Sequence, residues 1–151
     1  MGDEVEMLRL YLDLECLRFG EEFSYGIHVQ GNENADVAQI PTLILQPFVE
    51  NAIKHGLLHK KGAKRLDIEF VVSEVGCTVT ITDNGVGRKR SAEIKARSGA
   101  GNHESFSTSA TDRRLDLIRQ MHGARVSLEI VDLEEDGEAT GTQVVVMLPL
   151  A

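Results

Sequence analysis

Two segments roughly thirty positions apart constrain this chain more than anything else in it. Gln46-Pro47-Phe48-Val49-Glu50-Asn51-Ala52-Ile53-Lys54-His55-Gly56 reads as a helix whose last turns carry amide, ammonium and imidazole groups. Leu43, Ile44, Phe48, Ala52 and Ile53 mark its buried face, and Gly56 is able to end it. Pro47 should bend the helix or lie near its start. Asp83-Asn84-Gly85-Val86-Gly87 reads as a strand end that delivers one carboxylate into a glycine turn.

The remaining pattern alternates helices and strands. Leu8, Tyr11, Leu12, Leu14 and Leu17 recur at helical spacing between Glu4 and Phe19, and residues 1–20 read as the end of a connector helix. Phe23 to Gln30 alternates as a strand. Leu66–Val72 and Cys77–Thr82 read as a hairpin around Ser73-Glu74-Val75-Gly76. Residues 86–109 show almost no apolar periodicity, so a structureless lid is expected over about 88–109. Thr111 to Gly123 reads as a helix. Arg125–Val131 and Thr142–Leu148 read as two final strands, with Leu133–Thr140 an acidic turn between them. This order predicts an α+β fold over residues 21–151: a two-layer sandwich with a mixed sheet of about five strands and about three helices on one face.

Bulk properties exclude several classes. A chain of 151 residues with 42% hydrophobic content suits one domain with a real core. A formal charge of −8 without a basic face argues against nucleic acid as a partner. Cys16 and Cys77 lie far apart with no metal-ligand spacing, which favours reduced thiols in a cytoplasmic setting. No apolar run approaches the ~20 residues of a membrane span.

The two motifs carry the chemistry. Asn51, Lys54 and His55 are three and four positions apart and share one helical face. An Asn oxygen is a hard neutral ligand suited to Mg²⁺, and Lys54 suits a phosphate charge. A plain polar, solvated stripe would show the same spacing. An ionised Asp83 only accepts hydrogen bonds and so matches an exocyclic amino group. Asn84-Gly85 is also an ordinary tight-turn dipeptide, which leaves Gly87 unexplained. Taken together, the two segments point to ATP with Mg²⁺.

These residues resemble the catalytic ATP-binding domain of sensor histidine kinases, within the GHKL superfamily that includes gyrase and Hsp90 ATPase domains. The likeness is greatest to the LytS-like subfamily, through Tyr11-Leu12-Asp13-Leu14-Glu15-Cys16-Leu17-Arg18-Phe19, the run Ile40 to Gly56, Asp83 to Gly87, Arg114-Leu115 and Gly141-Thr142-Gln143-Val144. The resemblance implies that ATP lies between the central helix and the lid. It assigns Asn51 to Mg²⁺, Lys54 to the phosphates, His55 to the pocket wall and Asp83 to the adenine amino group. Gly85 and Gly87 fall to the adenine-side turn, and Thr142 to the adenine end. The family's second glycine box maps to Ser105-Phe106-Ser107-Thr108, where serines replace both glycines. Those residues still cap the phosphates, or Gly99 and Gly101 replace them, or ATP binding is weakened.

The implied activity is transfer of the ATP γ-phosphate to a histidine on a helical segment upstream of residues 1–151. Glu50 is a candidate for activating that imidazole. Pro47 stands where gyrase-like members carry their water-activating glutamate, which disfavours a hydrolytic machine. The alternative is a nucleotide-binding or protein-interaction module that has lost kinase activity. Implied partners are the upstream dimerisation segment and a response regulator, in a homodimeric parent anchored in the inner membrane with this domain in the cytoplasm.

Overall fold

The computed structural model describes residues 2–31, 45–98 and 127–148. Helix α1 spans Gly2–Phe19, and one 3₁₀ turn, Gly20–Glu22, leads into strand β1, Phe23–Gly31. Helix α2, Gln46–Asn51, runs directly into a π-helical turn, Ala52–Leu57. The hairpin β2, Lys64–Val72, and β3, Cys77–Asp83, comes next. Helix α3, Gly87–Ser98, and strands β4, Ser127–Glu135, and β5, Glu138–Leu148, complete the described elements.

The five strands form one mixed sheet in the order β1-β2-β3-β5-β4. β1 and β2 are parallel, Ile27 opposite Ile68, and the other pairs are antiparallel. Alternation along each strand fixes the layers. Leu66, Ile68, Phe70 and Val72 of β2 and Cys77, Val79 and Ile81 of β3 point to one face and are buried there. Leu8 and Leu12 of α1, Phe48 and Val49 of α2, and Ala52, Ile53 and Leu57 of the π turn cover them in a single apolar cluster. The opposite face carries Thr78, Thr80, Thr82 and Gln143, and Gln143 Nε2 donates to Thr82 Oγ1 at 3.2 Å. The expected α+β sandwich is what forms.

Three expectations need correction. The lid predicted over 88–109 begins as a twelve-residue helix, Gly87–Ser98. Its sequence is rich in strong helix formers, Arg, Lys, Ala and Glu, but among its described side chains Ser91, buried, and Ile94, half-buried, are the ones turned inward, so no apolar period announced it. The acidic turn predicted over Leu133–Thr140 is mostly strand: β4 runs to Glu135, and β5 starts at Glu138. Asp136 and Gly137, with φ of 53° and 81°, make the hairpin turn, for which Asp-Gly is a favoured dipeptide. Finally, Leu14 and Leu17 of α1 face solvent rather than the core. The predicted helix at 111–122, the residues around Pro41, and 99–109 with Gly99 and Gly101 lie outside the described residues.

α1 also fixes α2. Buried Glu4 sends Oε1 to the N–H of Leu45, 3.4 Å away, just before the first turn of α2. Pro47 sits in that first turn, where its missing N–H costs nothing. Replacing Leu12, which is fully buried, with Ala should destabilise the domain by about 2–5 kcal/mol, whereas exposed Leu17→Ala should change stability by less than about 0.5 kcal/mol. Urea unfolding of the two variants in dilute solution checks this; equal losses would contradict the assignment of the two faces.

Candidate functional site

The core-facing row of β3 ends in a carboxylate. Cys77, Val79 and Ile81 precede Asp83 on that face, and Asp83 is only 4% exposed. Burial pushes its carboxyl up from the ordinary 3.8 to about 6, against the opposing pull of the Gly85 and Thr142 N–H groups and the Lys60 charge. Asp83 Oδ1 accepts the Gly85 N–H at 2.8 Å. Thr142, half-buried, stands opposite Asp83 in the β3–β5 register.

Glycines let three backbone segments close on this carboxylate. A Cβ on Gly56 would lie 2.8 Å from Asp83 Oδ1. A Cβ on Gly85 would collide with the Gly56 carbonyl carbon, and the Val86 N–H donates to the Gly56 carbonyl at 3.2 Å. Gly141, at φ 152°, has the Asp83 carbonyl oxygen where its Cβ would stand. Gly85 is therefore required for close approach, while Gly87, at φ 85°, is required for its backbone conformation. Asn84 is more than a turn residue. Its Oδ1 accepts the Arg65 N–H at 2.7 Å, its Nδ2 donates to the Ala63 carbonyl at 3.1 Å, and its own carbonyl accepts Lys60 Nζ at 2.7 Å.

The helical side of the site is the junction of α2 with its π turn. Asn51 closes α2, and its Oδ1 is buried without a hydrogen-bond partner. Lys54 and His55 follow inside the π turn, Lys54 exposed and His55 half-buried. Gly56 does not end the helix; it is buried within that turn, and the Leu58 N–H reaches back to Ile53 at 2.8 Å. Single π turns in helices recur at functional sites. Glu50 accepts from Gln46 Nε2 at 3.2 Å. Burial first, then the charges of Glu15 and Glu50, push the Tyr11 hydroxyl up to about 12, so Glu50 lies towards α1.

The structure thus brings the Asn51–Gly56 run and the Asp83–Gly87 turn into direct contact and sets Thr142 beside them. Ser105, Ser107 and Thr108 lie outside the described residues. Lys60 and the pairing of Arg88 with Asp132 were not legible from the sequence. Arg88 Nε and Nη2 donate to the two Asp132 oxygens at 2.8 and 2.7 Å, fastening the start of α3 to β4. Neither pairing leaves a signal in spacing, since both depend on tertiary register.

Residues 36–151 match the model of the family described as histidine kinase-, DNA gyrase B-, and HSP90-like ATPase. The chain belongs to this ATPase family. Within it, the chain is 32% identical over 87 residues, 58% of its length, to the sensor protein LytS of Staphylococcus haemolyticus, covering 15% of that protein. It is 28% identical over 146 residues, 97% of its length, to LytS of Staphylococcus saprophyticus, covering 24% of that relative. The chain therefore spans at most about a quarter of the length of these curated relatives. Among solved structures, a nucleotide-free catalytic domain of the histidine kinase ThkA shares the fold with a TM-score of 0.65 at 12% identity, over 99% of this chain and 92% of that one. The mycobacterial sensor histidine kinase MprB does so with a TM-score of 0.59 at 16% identity, over 97% and 93%. This ATPase domain is thus of the kind found in sensor histidine kinases, as the motifs led us to expect.

The raised Asp83 carboxyl makes stability depend on pH. The folded value of about 6 lies above the ordinary 3.8, so the proton binds the folded state more tightly. That contribution is fully present below about pH 4 and is lost as pH rises to about 6. The stability of wild type relative to Asp83→Asn, which does not titrate, should fall across this window and be level above it. Urea unfolding at half-unit pH steps reads the difference; a flat difference would count against a buried carboxyl.

Proposed function

We propose that this ATPase domain binds Mg-ATP across the Asn51–Gly56 and Asp83–Gly87 segments and presents the γ-phosphate to a histidine on an upstream segment of a two-component sensor kinase. The observation that carries the reading is the contact of the two motifs. The Asp83 carboxylate abuts Gly56, five residues after Asn51, whose buried oxygen lacks a partner.

Asp83 accepts the adenine amino group, with Gly85, Gly87 and Thr142 shaping that end of the pocket. Lys54 neutralises phosphate charge, and His55 forms part of the wall. The residues present fit Mg²⁺: Asn51 Oδ1 is a hard oxygen, buried and without a hydrogen-bond partner, and it would hold the ion as a neutral ligand. When bound, the ion would supply neutralisation of phosphate charge. In the transfer, the bond from the γ-phosphorus to the ADP oxygen breaks and a bond to the acceptor imidazole nitrogen forms. Catalysis is then positioning and charge neutralisation, with Glu50 assigned to the imidazole proton. Ser105, Ser107 and Thr108 are assigned to the phosphates.

The parent is proposed to be a membrane-anchored homodimer that passes the phosphoryl group to a response regulator. No helix among the described residues is long and apolar enough to cross a membrane. A ThkA structure in complex with the response regulator TrrA, with a TM-score of 0.61 at 12% identity, supports the choice of partner class.

Asp83→Asn should abolish binding of a fluorescent ATP analogue without unfolding the domain. Its oxygen would stay with the Gly85 N–H, leaving Nδ2 to face the adenine amino group donor to donor, a mismatch of about 1–3 kcal/mol or more. Wild-type affinity with a normal melting curve would remove Asp83 from the site.

Asn51→Ala should retain metal-free ADP binding while losing transfer of labelled phosphate, with Mg²⁺ present, to an added parent fragment that carries the upstream helices. Wild type should label that fragment and leave itself unlabelled. Equal loss of ADP binding and transfer in Asn51→Ala would contradict the metal role. Nucleotide binding without transfer by wild type would favour a binding module.

A further inference from the structure

The glycines that let the Asp83–Gly87 turn close on Gly56 also give it freedom to move, since glycine loses more conformational freedom on ordering than any other residue. A turn that wanders in the free protein must be ordered when a ligand arrives, at a cost in affinity. Contacts along its length pin it beforehand. Asn84 ties its first half to β2 through the Arg65 N–H and the region of the Ala63 carbonyl. The Val86 N–H ties its second half to the Gly56 carbonyl. Just past Gly87 the pin is Arg88, whose Nε and Nη2 donate to the two Asp132 oxygens at 2.8 and 2.7 Å.

The sheet register places this last pin beside the candidate site. Asp83 stands opposite Thr142, and Thr142 opposite Asp132, so the three share one row across β3, β5 and β4. Strands lie about 4.8 Å apart, which sets the backbone of Asp132 about 10 Å from that of Asp83, on the far side of Thr142. The glycine turn leaves this row at Asp83, and α3 is fastened back to it at Arg88. Gly87, between turn and pin, lies close to β5: a Cβ on it would stand 3.0 Å from the Ala139 Cβ. A two-pronged guanidinium–carboxylate contact fixes direction as well as distance. Both side chains are about half exposed, at 54 and 48%, where an ion pair adds little to global stability. The effect of this pair is therefore on the position of the turn it holds.

We propose that Arg88 and Asp132 are a positioning pair for nucleotide binding. Clamped to β4, Arg88 holds the Asp83–Gly87 turn in the arrangement that accepts adenine, and neither residue touches the nucleotide. The inference rests on the nucleotide reading above and deepens it. A site whose competent arrangement is only partly populated binds more weakly in proportion to that fraction, so release of the clamp lowers affinity without removing a ligand contact. The rival role for Arg88, direct attraction of phosphate, predicts the opposite for Asp132, because loss of that carboxylate would free the cation for the ligand.

The test is titration of the whole chain with a fluorescent ATP analogue, followed by displacement with adenosine, for wild type, Arg88→Gln, Asp132→Asn and the double variant. Each single variant should weaken both ligands about three- to fivefold, within the range open to a well-aligned surface pair. The double variant should be no weaker than either single one, because the two residues act as a unit. All melting curves should overlay that of wild type. Arg90→Gln is the control: Arg90 donates to Glu93 at 3.2 Å inside α3, so this variant removes the same charge without releasing the turn and should bind as wild type does. Raising salt from about 0.05 to about 0.5 M should narrow the gap between wild type and the clamp variants. Wild-type affinity in Arg88→Gln, tighter analogue binding by Asp132→Asn, a loss seen for the analogue and not for adenosine, or additive losses in the double variant would each overturn the clamp. No analogue binding by wild type would overturn the nucleotide reading and the clamp with it, whereas binding that the clamp variants leave unchanged sinks the clamp alone.

Discussion

Everything in the candidate site depends on the backbone of Gly56 lying against Gly85 and the Asp83 carboxylate. That contact joins a helix to the end of a strand with no side chain between them. It holds only because neither glycine carries a Cβ and because the π turn carries Gly56 inward with its carbonyl facing the Val86 N–H. A buried carboxylate is costly unless hydrogen-bonded. Here the Gly85 and Thr142 N–H groups meet that need in part, and the cost of burial appears as the raised proton affinity of Asp83. A buried carboxylate has lone pairs beyond those that two backbone N–H groups occupy, and recognition of an amino group requires such an acceptor.

Asn51 presents the same situation from the helical side. Its oxygen is buried at the end of α2 and unpaired among the described residues. A buried carboxylate and a buried unpaired amide oxygen therefore flank a single glycine contact. Asn84, by contrast, uses both ends of its amide and both backbone groups to tie its loop to β2 and Lys60.

Much of this was legible in the sequence because the motifs are contiguous and their chemistry is local. The helix around Asn51, the strand ending at Asp83 and the sandwich built from their neighbours follow from apolar period and glycine placement. What was not legible depends on tertiary register or on helix propensity without periodicity. α3 turns too few apolar residues inward to show a helical repeat, and the acidic tips of β4 and β5 looked like a turn because charge masked their pairing. No spacing rule announces a π turn, so Gly56 read as a helix end rather than as the surface on which Asp83 rests. Leu14 and Leu17 fit the helical period of α1 equally well as core residues; only the packed structure shows that the core is on the other side.

Among the described residues the sheet ends at β4, and a terminal strand is open to pairing with another molecule. β4 carries Glu129, Asp132, Glu134 and Glu135 within nine residues. Arg88 engages one of these acids, Asp132. A second β4 laid alongside in parallel would bring these acids together, which discourages strand-to-strand addition and the aggregation that follows from it. The protection is electrostatic, so it weakens as salt screens the edge and as acid neutralises the carboxylates. Storage of this protein at high ionic strength and low pH would remove the barrier that keeps its sheet from growing.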